Sequence, residues 1–189
     1  MIIDLFSYFA RFPDRAGVLN LFNNGASSLS GYATLLEEMN KLPEVSLLQD
    51  IKSYVFGQSF DAVKSRVDSI SGTYLFVDFG EFNSQLNGSS SIVNTQKVAC
   101  TVACKLPGSS DLVENAIASD NTLSLLAQLA AQLIKDAENH TVAWLSRRNM
   151  KVFDIIPFVA KELNSIGWTL MFSTESDDLF DLKLSFHEE

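Results

Sequence analysis

Between Thr73 and Leu106 the chain changes its hydrophobic period from three-to-four residues to two, and that change limits the fold more than any other feature. Tyr74-Leu75-Phe76-Val77-Asp78-Phe79 is a short, almost continuous apolar run of β-branched and aromatic type, as expected of an interior strand. From Thr95 to Leu106 the sequence alternates, with Val98, Cys100, Val102, Cys104 and Leu106 on one face of a second strand. The stretch from Phe82 to Ser91 that joins them carries no charge and few large apolar groups. Asn87-Gly88 at its centre is the favoured pair for a tight hairpin turn. Residues 74–106 therefore read as a long hairpin, whose arm from Phe82 to Ser91 is too poor in apolar surface to hold itself in water unless it leans on something else.

The flanking segments fix the class. Leu123, Leu126, Ala130, Leu133 and Ala137, widened by Leu125, Leu129 and Ile134, mark a long amphipathic helix over 120–138, with Asp120 as its cap. A short strand is expected at Val142–Leu145 and another over Lys151–Ile156. Pro157 is then placed at the start of a short helix reaching about Asn164. Trp168, Leu170 and Phe172, followed by Phe180, Leu182, Leu184 and Phe186, alternate on either side of Ser176-Asp177-Asp178 and predict a C-terminal hairpin over 168–186. Upstream, residues 1–72 read as helical. One stripe falls in 28–40 and a second, led by Pro43, holds Val45, Leu48, Ile51, Val55 and Phe56. A third holds Phe60, Val63, Val67 and Ile70. The expectation is an α+β fold: an antiparallel or mixed sheet over 73–189 with a long amphipathic helix packed on it and a helical N-terminal region, in one compact domain.

Composition narrows function by exclusion. At 189 residues and 47% hydrophobic, the chain is large enough for a true core. With 23 acidic against 14 basic residues its formal charge is −9, opposite to what a phosphate-gripping surface needs, so sequence-specific nucleic-acid binding is not expected. The apolar N-terminus, Met1 to Ala10, is too short to span a bilayer and lacks the marks of a signal peptide, so no membrane association is expected and the chain reads as intracellular. Asn87-Gly88-Ser89 and Asn139-His140-Thr141 match the glycosylation pattern but are expected to stay bare. Cys100 and Cys104, four apart on a strand, sit about 13 Å apart. That is beyond the roughly 7 Å reach of a disulfide, and both read as packed thiols.

No residue set carries a catalytic signature. Asp78-Phe79-Gly80 spells the kinase metal tripeptide, but no glycine-rich loop or catalytic His-Arg-Asp accompanies it, and a strand end with a turn glycine accounts for it. Two cysteines at the wrong spacing and the single histidines His140 and His187 do not make a zinc site. The acids Glu175, Asp177, Asp178 and Asp181 lack the ligand periodicity of a calcium loop and are assigned to an acidic surface. No catalytic residue, cofactor or metal is assigned, and the chain is not expected to be an enzyme. Candidate contacts between copies are the arm residues Phe82, Gln85, Leu86, Asn87, Gly88 and Ile92, together with the basic pair Arg147 and Arg148.

With Tyr74–Leu106, Leu123–Ala137 and Trp168–Phe186 laid out, the order resembles the small α+β proteins at the neck of tailed bacteriophages, the tail terminators and head–tail connector components. The likeness is one of pattern and covers about the last two-thirds of the chain. It implies a virion subunit, made in the host cytoplasm, that forms a homo-oligomeric ring with neighbouring neck and tail proteins. Arms would reach adjacent copies by strand addition or interdigitation, and DNA would pass a lumen of like charge. The alternative is an acidic cytosolic protein of immunity type that masks a basic partner.

Overall fold

The computed structural model describes residues 2–22, 27–86, 92–142, 144–145 and 153–176. Its elements in order are α1 (Ile2–Phe9), α2 (Arg15–Leu19), α3 (Tyr32–Asn40), β1 (Ser53–Gly57), α4 (Phe60–Ser69), β2 (Thr73–Leu86), β3 (Ile92–Lys105), α5 (Leu112–Glu138), β4 (Asp154–Ala160) and β5 (Ser165–Ser176). One turn of 3-10 helix, Lys161–Leu163, joins the last two strands. The fold is α+β with a five-stranded mixed sheet in the order β1-β2-β3-β5-β4. β1 runs parallel to β2, and every other pairing is antiparallel.

The strands sort their side chains by the two-residue period into two unequal layers. On one face Tyr54, Leu75, Val77, Val98, Cys100, Val102, Leu170 and Phe172 are buried beneath α1 and α5. Leu5, Phe6 and Phe9 descend from α1, and Leu126, Leu129 and Leu133 from α5. On the other face a smaller cluster joins Val55, Tyr74, Phe76 and Ala103 to Val63 and Val67 of α4 and to Leu163. Because β2 is covered on both sides, Tyr74, Leu75, Phe76 and Val77 are all buried, which explains the unbroken apolar run.

The first 72 residues are less helical than their spacing suggests. Pro43 and Val45 lie in irregular backbone, and residues 53–57 form β1 rather than the end of a helical stripe. Tyr54-Val55-Phe56 suits a strand by its branched and aromatic side chains, and alternation sends Tyr54 and Val55 into opposite layers. The β1–α4–β2 crossover then ties this region into the sheet. Gly17 of α2 permits the close approach of the chain entering β1, since a Cβ there would collide with the Lys52 carbonyl oxygen.

Four further expectations are corrected. The long helix begins at Leu112, not at 120: Asp111 caps it, accepting from the backbone N–H of Val113 and Glu114 at 2.8 Å, while Glu114 accepts from the Asp111 N–H. Asp120 lies inside the helix. Pro157 sits within β4 rather than opening a helix; β4 is an edge strand, where a residue without an N–H is tolerated. Val142, Trp144 and Leu145 are loop residues, not strand, although Trp144 and Leu145 are buried. The first half of the expected 168–186 hairpin is β5, whose two edges are taken by β3 and β4 along Trp168–Met171. Residues 177–186 lie outside the described residues.

Candidate functional site

The hairpin arm is a ladder of two 14-residue strands. β2 and β3 stay paired out to Leu86 opposite Ile92. β1 stops at Gly57 opposite Asp78, so among the described residues no strand pairs with the outer edge of β2 from Phe79 to Leu86. One extra residue enters β2 between Phe79 and Phe82 against Val98 and Gln96 of β3, a β-bulge. Asp78-Phe79-Gly80 therefore lies in the interior of β2 at this bulge, not at a strand end. A Cβ on Gly80 would stand 3.2 Å from the Lys97 carbonyl oxygen, closer than most side chains allow.

Of the candidate contact residues, Phe82 is half-buried at the base of the arm, and Gln85, Leu86 and Ile92 lie in its outer ladder. Asn87, Gly88, Arg147 and Arg148 fall outside the described residues. So do Asp177, Asp178 and Asp181, while Glu175 pairs with Thr95 in the backbone of β5. Sequence reasoning missed the polar base beneath the arm. Asn94, Gln96 and Thr174 are each at most 1% exposed and continue the face that lower down carries Val98 and Cys100. Asn94 accepts from the Ser84 hydroxyl. Both amide atoms of Gln96 are buried without a hydrogen-bond partner. Alternation placed these residues inward, but nothing in the pattern foretold that the inward face turns polar at Gln96.

A second polar cluster joins the N-terminus to the far end of α5. Asp136, 6% exposed, accepts from the Tyr8 hydroxyl at 2.8 Å, from Arg11 Nη2 at 2.9 Å and from Gln132 Nε2 at 2.8 Å. The Arg11 guanidinium lies 4.2 Å from the Tyr8 ring centroid. Burial alone would raise the Asp136 carboxyl, but its Tyr8, Arg11 and Gln132 hydrogen bonds prevail and hold it below its ordinary 3.8. The same burial and the neighbouring carboxylate push the Tyr8 phenol far up, so it stays a neutral donor. The sequence signal was an acid between Leu133 and Ala137 on the apolar side of a helix.

On the less covered face of the sheet a shallow concavity of about 480 Å³ is lined by Asp78, Lys97, Asp154, Met171 and Ser173 among others. Burial raises the Asp78 carboxyl, whose Oδ1 has no hydrogen-bond partner. Asp78 and Asp154 lie on the two ends of one cross-strand row, β2 to β4, with β3 and β5 between them. At about 4.8 Å per strand they are too far apart to share a proton or a metal ion. Among the described residues no three His, Cys, Asp or Glu side chains gather as a metal site. Both thiols are free; Cys100 is buried and its thiol pushed well up by that burial, an inert state, whereas Cys104 at the rim of β3 is only half-buried rather than packed. Among the described residues no helix is long and apolar enough to cross a membrane. No protein family, curated protein or solved structure matches this chain.

Proposed function

We propose that the chain is a structural virion subunit of a phage neck or tail, of tail-terminator or connector kind, and not an enzyme. Copies associate into a homo-oligomeric ring through which DNA passes. The observation that carries this reading is the outer edge of β2 from Phe79 to Leu86, which no described strand of the same chain pairs with. A long ladder with one unpaired edge offers backbone donors and acceptors to a strand of a neighbouring copy. The bulge between Phe79 and Phe82 lies just beyond the point where β1 ends, at the base of that edge. The acid excess of −9 supports a lumen that DNA traverses without being held.

Light scattering on the purified protein at several concentrations, with imaging of assembled particles, tests the proposal. The expected result is a ring of defined mass that is present in particles. A strict monomer absent from particles overturns it. The competing reading, an acidic protein that masks a basic partner, predicts an affinity that falls steeply with salt. A ring held by backbone pairing and apolar contacts loses little mass in the same titration.

A further inference from the structure

Among the described residues, the sheet face turned away from α1 and α5 is covered only at one end, where α4 and Leu163 close over Tyr74, Phe76 and Ala103. Beyond that cover one cross-strand row lies open. Asp78 of β2 stands opposite Ala99, Ala99 opposite Met171, and Met171 opposite Asp154 of β4. Residues directly opposite one another share a face, so the four side chains form one continuous line. All four line the same concavity of about 480 Å³. On one side of the line runs the row Phe76, Thr101, Thr169 and Ile156, closed by a 2.8 Å hydrogen bond between the two threonine hydroxyls. On the other side stand Lys97 and Ser173. The line carries an acid at each end and an apolar pair between them, over three strand intervals or roughly 14 Å.

We propose that this concavity binds a linear aliphatic polyamine, with one ammonium group at Asp78, another at Asp154 and the methylene chain laid along Ala99 and Met171. Asp78 is the stronger anchor. Its side chain is half-buried, Oδ1 has no hydrogen-bond partner, and no described cation lies within ion-pair distance of it. Burial raises that carboxyl with nothing set against it, so the charged acid has lost water and gained no counter-charge. An ammonium group supplies the missing partner as a charge-assisted hydrogen bond. Asp154 is exposed, so its pairing with the second ammonium is worth less. Ala99 leaves room above the sheet, and the flexible thioether of Met171 adapts to a methylene chain. Lys97 is the cation of this chain nearest to filling the place, but its Nζ reaches towards Glu81 at 3.9 Å. A compact cation cannot meet both acids across that span, whereas an extended polycation can. The volume falls in the range of small-molecule sites.

Polyamine binding neither needs the ring nor excludes it. Isothermal titration calorimetry of the full chain at physiological salt would use spermidine as the probe, with butylamine as a single ammonium and Mg²⁺ as a compact charge. The expected result is saturable binding of one spermidine per chain. Asp78→Asn should weaken it about tenfold and Asp154→Asn about threefold. Asp78→Asn keeps the side chain's shape and removes a partly buried charge, so the urea midpoint should hold or rise. Butylamine should bind at least about tenfold more weakly than spermidine, and Mg²⁺ at equal concentration should not displace it. Absence of saturable binding overturns the proposal. So does binding that either substitution leaves unchanged, or that butylamine or Mg²⁺ matches, since the attraction is then to the −9 surface at large. A tetralysine peptide separates a free polyamine from lysine side chains. If the substitutions weaken tetralysine and spare spermidine, the concavity receives a basic protein segment and the polyamine assignment falls.

Discussion

At the scale of single residues, the polar groups that the fold buries decide more than the apolar ones. Asp136 is held as a carboxylate by three donors, so folding favours its charged form. With its folded pKa below the ordinary 3.8, the stability it contributes is complete above that value and is lost as pH falls through the lowered one. Urea denaturation of the wild type should therefore steepen in pH dependence below about pH 4, and Asp136→Asn should flatten that part of the profile. Tyr8→Phe removes one hydrogen bond to the carboxylate while keeping the ring against Phe9 and Trp144, and should cost about 1–2 kcal/mol. Gln96 makes the opposite case. Its side chain is fully buried with neither amide atom paired, so Gln96→Met, nearly the same volume without the unmet polar atoms, should raise stability by about 1–2 kcal/mol. An unchanged or lower urea midpoint would show that the amide is satisfied in solution.

At the scale of elements, α5 tests the capping account. Asp111 satisfies two N–H groups of its first turn and Glu114 returns the bond, so Asp111→Ala should cost about 1 kcal/mol of stability, read as a lower urea midpoint. Asp120→Ala, at the position the spacing first marked as the cap, should have far less effect, since Asp120 is exposed and already inside the helix. The contrast shows what sequence could reveal. Leu126, Leu129 and Leu133 fixed the helix and its buried side, because a 3.6-residue period over several turns has no competing explanation. The first two turns broke that period with Leu112, Val113 and Ile117, and the true start went unread. Val98, Cys100 and Val102 gave β3 its inward face in the same way. β1 was hidden because five residues hold too few repeats to separate a strand from a helical stripe, and its pairing with β2 is non-local. Pro157 fits the first turn of a helix as well as an edge strand, and only the position of β4 in the sheet decides between them. Of the candidate site, the neutral arm was legible from its missing charges. The unpaired edge of β2 was not, because it depends on where β1 stops.

At the scale of the whole molecule, the arm and the core are separable in a way that permits a decisive experiment. Within 83–95, the residues whose side chains are described, Asn83, Ser84, Asn94 and Thr95, are all polar. The ladder beyond Phe82 and Gln96 is expensive to order for the subunit alone, since each fixed backbone residue costs about 1–2 kcal/mol of conformational entropy. Contacts with a neighbouring copy would offset that cost. Phe82 and Gln96 face each other across the ladder, so replacing 83–95 with Asn-Gly joins them through a two-residue turn of the preferred kind. The shortened chain should keep its circular dichroism and a cooperative urea transition, because α1, α5 and the body of the sheet are untouched. Its assembly, measured by light scattering, should fall below the mass of the ring. If the ring survives the deletion at full mass, the arm is not what joins its copies, and the unpaired edge of β2 serves something else. If the shortened chain unfolds, the arm belongs to the core after all, through the inward polar row of Asn94, Gln96 and Thr174. Gln96→Met in the full-length chain would then be destabilising, opposite in sign to the gain expected above.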